Sequence, residues 1–157
     1  MNEDNLQQSA LEIQTYAALL LKYFNQGLEQ RLHEYGEKMS SLQYGILRMI
    51  QFEPLTVSEL GRRLGLNPST LVRSVDALER KGLAQRGSDP QDRRRNPVAL
   101  TEKGMALLTA VPTVAPDDIA FQVIQSLGAD SAEQLKLLLR ELIVRFPEGP
   151  VIVAAFM

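Results

Sequence analysis

The stretch from Thr56 to Thr101 constrains the chain most, because its punctuation admits few local folds. Thr56 followed three residues later by Glu59 is a capping box, in which each side chain satisfies a free amide at a helix start, so a helix is predicted from there. Leu60 and Leu64 share one face of that helix. Gly65 stands where the chain must turn sharply, and Asn67-Pro68 supplies an N-cap and a first-turn proline for a second helix. Two helices joined by so short a turn suggest a helix-turn-helix.

The period of the second helix divides it into faces. Leu71, Val75 and Leu78 fall at i, i+4 and i+7, a stripe that must be buried, while Ser69, Arg73, Asp76 and Arg80 project oppositely, with Thr70 and Ala77 flanking. Near its N-terminus the free face is small, hydroxylated and basic. Asn67, Pro68, Ser69, Thr70 and Arg73 are therefore candidates for a DNA major groove, where arginine can donate two hydrogen bonds to guanine and hydroxyls can bond phosphates or bases. Arg62, Arg63, Arg80 and Lys81 are candidates for the DNA backbone. The same face also suits a solvated side of an ordinary core helix.

A hairpin should follow. Gly82 ends the helix, and Leu83 to Arg86 and Val98 to Leu100 are short and apolar enough to pair as strands. Between them lies a polar loop with Asp92 and three consecutive arginines, Arg93, Arg94 and Arg95. Such a cluster is either a solvated loop or, beside a recognition helix, a source of a guanidinium for the narrow, electronegative minor groove.

From about Leu32 to Phe146 the sequence resembles the MarR family of winged-helix transcriptional regulators. The resemblance is most specific in Asn67-Pro68-Ser69-Thr70-Leu71-Val72-Arg73 continuing to Leu83, and in Asp92 to Gly104, where an Asp, an Arg two places later and Leu-Thr-x-x-Gly match the family's wing signature. It implies a mainly α fold with a small β-hairpin wing, flanked by N- and C-terminal dimerisation helices. By that match Arg94 is the wing-tip arginine in the minor groove and Asp92 the carboxylate that holds the wing in shape; Arg93 and Arg95 are left to phosphate or solvent. The implied division is an N-terminal dimerisation helix over 1–35, a winged helix-turn-helix over 36–104, and dimerisation helices with an apolar tail over 105–157.

A net charge of −2 looks wrong for a DNA-binding chain until it is divided. Thr56 to Gly104 holds 10 Lys/Arg against 6 Asp/Glu, a balance of +4, which leaves −6 for the remainder. Phosphate attraction depends on the field within about 8 Å at physiological salt, so a basic lobe on an acidic chain still suits DNA. No cysteine is present, which excludes disulfides and thiol redox switching, and one histidine without clustered ligands argues against a transition-metal site. No secretory leader or bilayer-spanning stretch is visible, and a cytoplasmic protein without cofactor is expected.

Outside the basic lobe, helices are expected over about Leu11 to Tyr35 and Ser40 to Phe52, with Met1 to Ala10 frayed. The first carries one stripe of Ile13, Ala17, Leu20, Leu21, Phe24 and Leu28 and a second of Tyr16, Leu19 and Tyr23, more than one neighbouring surface covers. Ser40 with Gln43 caps the next helix. Pro112 and Pro116 should kink or divide the helix opened by Thr101. Asp130 with Glu133 should cap a final helix whose Leu135, Leu138, Leu139, Leu142 and Phe146 form a packing face, either for a homodimer or for an intramolecular bundle. The bare apolar tail from Val151 to Met157 suits an arm over a partner subunit, a plug, or a protease-recognised end.

In many members of the resembled family a small aromatic or phenolic compound binds between the dimerisation helices and the winged-helix lobe. The residues available here are Tyr16, His33, Tyr35, Met39, Tyr44 and Arg48, which equally suit core aromatics and surface cations. The favoured reading is a homodimeric regulator of double-stranded DNA; the alternative is a winged-helix module that binds a protein. No paired nucleophile and base, Gly-rich phosphate loop or metal spacing suggests an enzyme.

Overall fold

The computed structural model describes residues 3–88, 90–92, 95–147 and 149–155. Eight helices occur among them: α1 (Glu3–Glu34), α2 (Ser41–Ile50), α3 (Val57–Leu64), α4 (Pro68–Arg80), α5 (Glu102–Ala110), α6 (Ile119–Ser126), α7 (Ala129–Ile143) and α8 (Gly149–Ala155). Strands β1 (Ala84–Arg86) and β2 (Val98–Leu100) pair antiparallel, with Gln85 opposite Ala99. Leu55 bridges to Val98 on the other edge, so a third short segment pins the hairpin to the helices.

The core sits where α2, α3, α4, the hairpin and α5 meet the C-terminal end of α1. Leu32, Ile46, Leu47, Leu60, Leu71 and Val98 are fully buried there. Tyr44 is buried too, and its hydroxyl donates to the Val111 carbonyl at 2.5 Å, which removes the cost of an unpaired phenol in the interior.

Several ends follow the sequence. Ser40 with Gln43 and Thr56 with Glu59 both form complete capping boxes. Prolines 112 and 116 fall in the segment that separates α5 from α6. Arg31 of α1 holds this segment: it pairs with Asp118 and donates to the Pro112 and Thr113 carbonyls at 3.1 and 2.8 Å. Asp118 is packed against Gly27, where a methyl group would stand 2.9 Å from its carboxylate oxygen, so a glycine there permits a close approach.

Three ends differ from expectation. Helix α1 begins at Glu3, eight residues early, because nothing in the polar segment breaks a helix and Gln8 donates to Glu12 across one turn. Asp130 does not cap α7; Gly128, at a φ of 81°, turns the chain directly from α6 into α7. The tail is helical as far as Ala155, since Pro150 falls in the first turn of α8, where its missing amide has no partner to lose. Helix α8 lies against α3.

Candidate nucleic-acid interface

Helix α3 ends at Gly65, whose left-handed φ of 64° lets its own amide and that of Leu66 both reach the Gly61 carbonyl. The chain then enters α4 through Asn67, whose Oδ1 accepts from the Ser69 amide and hydroxyl, both at 3.0 Å. Leu71, Val75 and Leu78 are wholly buried, which fixes the roll of α4. Asn67, Pro68, Ser69, Thr70 and Arg73 are consequently all exposed on the opposite side and nothing in the described chain covers them.

The charges along that face are sorted by the hairpin. Arg86 of β1 pairs with Asp76 at 2.8 Å and with Glu79, whose carboxylate also accepts from the Arg86 amide at 2.7 Å. Both acids of α4 facing the hairpin are thereby neutralised, while Arg73 has no ion-pair partner among the described residues. Arg73 and Arg80 line one open concavity with the two neutralised acids. Arg86 was not among the sequence candidates, because its role depends on β1 folding back across seven residues onto α4, a tertiary contact with no periodic signal.

The base of the loop is also held. Arg95 pairs with Glu59 of α3 at 2.6 Å, and its amide donates to the Asp92 carbonyl at 2.9 Å. Arg95 is therefore a structural cation, left neither wholly to phosphate nor to solvent. Hydrogen bonds from the Thr56 backbone and hydroxyl, with Arg95 and Arg62 nearby, hold the Glu59 carboxyl below the ordinary glutamate range against its partial burial. Arg93 and Arg94, including the expected wing-tip contact, lie outside the described residues. Thr101 closes the hairpin by donating to the Gly82 carbonyl at 2.7 Å and accepting from the Gly104 amide at 3.1 Å.

A sequence model of the MarR family matches residues 38–95, from just before α2 to the end of the wing loop. The fold is similar to that of the transcriptional regulator BldR from Sulfolobus solfataricus, at 27% identity over 93% of this chain and 100% of that one, TM-score 0.65. CouR from Rhodococcus jostii bound to p-coumaroyl-CoA matches at 26% identity over 88% and 92%, TM-score 0.65. A MarR mutant from E. coli complexed with operator DNA matches at 23% identity over 86% and 96%, TM-score 0.75, a likeness of fold.

Over residues 38–95 the chain carries the sequence pattern of the MarR family. Its fold is a winged helix, and the proteins that it resembles are transcriptional regulators. No helix among the described residues is long and apolar enough to cross a membrane.

Within this winged-helix lobe, two backbone candidates have other engagements. Arg63 pairs with Glu53. Lys81 reaches Glu37 at 3.1 Å, and Lys103 reaches the same carboxylate at 3.3 Å, tying the α1–α2 connection to the ends of α4 and α5. Partial burial raises the Glu37 carboxyl, but hydrogen bonds and charge from Lys81 and Lys103 outweigh it and hold it below the ordinary range. Arg62 and Arg80 remain exposed.

The six ligand candidates are divided between core and surface within one chain. Met39 and Tyr44 are core, whereas Tyr16, His33, Tyr35 and Arg48 are exposed. Tyr16 and His33 both lie on α1 and stand about 25 Å apart along it at 1.5 Å per residue. Their spacing on a straight helix, invisible while the residues were grouped by type, separates them.

Proposed function

We propose that the protein is a homodimeric repressor that reads a palindromic operator and is released from it by a small aromatic or phenolic ligand. The observation that carries the DNA reading is the exposed N-terminal face of α4, where Ser69, Thr70 and Arg73, without an ion pair among the described residues, project beside acids already neutralised by Arg86. A protein-binding module would centre such a face on large apolar or aromatic side chains, whereas here Val72 is exposed among hydroxyl and charged groups.

Dimerisation is supported by what the single chain leaves in water. Ile13, Tyr16 and Leu19 of α1, Ile119 and Val123 of α6, and Leu138 and Leu142 of α7 are exposed, and α7 has no buried residue at all. So much adjoining apolar surface calls for a partner, and a two-fold axis would present two α4 helices to successive half-sites, roughly 34 Å apart. The ligand part is supported by the similarity to a p-coumaroyl-CoA complex. Exposed residues such as Tyr16 would then meet His33 or Arg48 only across the two-fold.

The test is fluorescence anisotropy on a DNA site selected from random sequence by the wild-type protein. Binding should be tight, palindromic and weakened by p-coumarate or its thioester. A selected pool without any palindrome, or binding indifferent to every aromatic acid tried, would contradict the corresponding half of the proposal.

A further inference from the structure

The contact between α8 and the first helix of the helix-turn-helix has no task in the DNA reading. An open cavity of about 390 Å³ lies there, with Glu59, Arg62 and Arg63 on the α3 side and Pro147 and Val151 on the other. A second, of about 360 Å³, lies between the end of α7 and α8, lined by Ile143, Phe146, Pro147, Gly149 and Ile152. Pro147 belongs to both walls, so a cationic space adjoins an apolar one. Each falls in the size range of small-molecule clefts, roughly 300–1,000 Å³.

Among the described residues the charge in the first cavity is unbalanced. Glu59 is engaged by Thr56 and Arg95, Arg63 has only the exposed Glu53, and Arg62 has no ion pair among the described residues. Two guanidinium groups side by side favour a carboxylate, which they can bind with charge-assisted hydrogen bonds. The apolar wall is mostly aliphatic, with Val151, Ile143, Ile152 and Pro147. A head that is anionic and a body that is a saturated chain satisfy both spaces at once.

We propose that these adjoining cavities bind a medium-chain aliphatic carboxylate, its head on Arg62 and Arg63 and its chain along Pro147 between α7 and α8. The site is separate from the aromatic-ligand site of the preceding proposal. Its consequence for DNA rests on the regulator reading: a carboxylate on Arg62 and Arg63 withdraws positive charge from the lobe, and Glu59 links the same cavity to Arg95 at the base of the wing.

Isothermal titration of the full chain with octanoate, and with octanol as the uncharged control, tests the site without DNA. Octanoate should bind, with octanol about tenfold weaker or more, the usual cost of losing a charge-assisted hydrogen bond. Arg62→Ala combined with Arg63→Ala should lower octanoate affinity by about tenfold or more. Val151→Glu should do the same by placing a carboxylate in the cavity, and since Val151 is exposed this variant should keep the wild-type thermal midpoint. No octanoate binding, equal binding of octanol, or wild-type affinity in either variant overturns the proposal. So does a fall in sedimentation mass for Val151→Glu or Ile152→Asp without bound octanoate in the wild type, which would assign the face to a second copy. Failure here with intact operator binding leaves the DNA reading standing; octanoate binding without any operator leaves only the effect on DNA unsupported.

Discussion

Arg86 shows how a residue that faces no ligand can govern a binding face. It cancels Asp76 and Glu79 on α4, and without it two carboxylates would confront the phosphates approaching Arg73. Arg86→Gln should therefore weaken DNA binding by about 1–2 kcal/mol, the scale of screened charge repulsion at close range, and Glu79→Gln in the same chain should restore much of it. Anisotropy on the selected operator measures both. Arg73→Ala should cost about 1–3 kcal/mol on that operator and less on random DNA if its side chain reads a base; an equal loss on both marks a phosphate contact. Glu37 gives a prediction in pH. Its folded value is lowered, so its pairing with Lys81 and Lys103 stabilises above the unfolded value, about 4.3, and is lost as pH falls through the folded one. The excess stability of wild type over Glu37→Gln in urea should be present at pH 7 and shrink below about pH 4. The sequence exposed the faces of α4 because burial of Leu71, Val75 and Leu78 follows a local period, whereas the partners of Arg86, Lys81 and Arg95 are set by tertiary contacts.

Among the elements, the hairpin and α5 are closely joined. A methyl group on Gly104 would overlap the Leu83 carbonyl oxygen and the Leu100 side chain, so the glycine of the Leu-Thr-x-x-Gly pattern is a packing requirement. Gly104→Ala should lower stability by about 1–3 kcal/mol, as overpacking does, seen as a lower urea midpoint with an unchanged slope. If the loss stays local, hydrogen exchange should speed up in β1 and β2 before it does in α2. Helix starts at Val57 and Pro68 were readable since a cap is a matter of three or four neighbouring residues. The start of α7 was not, because Asp130 and Glu133 match the capping spacing while Gly128 already turns the chain. The bridge from Leu55 to Val98 and the docking of α8 on α3 join segments far apart in sequence and leave no local pattern.

At the scale of the whole molecule, the basic lobe is finished and the helices around it are not. The core closes around α2 to α5, yet Leu138 is 57% and Leu142 43% exposed, as are the facing positions of α1 and α6. The sequence revealed the apolar stripes, but a stripe reads the same whether its cover comes from the same chain or another; the described residues leave that of α7 uncovered. Leu138→Asp with Leu142→Asp should then give a folded species of 17.5 kDa in sedimentation, with helical content retained because neither residue is in the core. Its DNA behaviour follows from the proposed two-fold. A dimer binds the second half-site as an intramolecular event and so demands one spacing, whereas a monomer meets each half-site independently. Wild-type affinity should collapse when about five base pairs, half a helical turn, are inserted between the half-sites, because the second recognition helix then faces the wrong side of the duplex. The monomeric variant should bind both DNAs weakly and alike. A variant that is monomeric in solution yet keeps the wild-type dependence on spacing would require the two α4 helices to be paired by some surface other than α7.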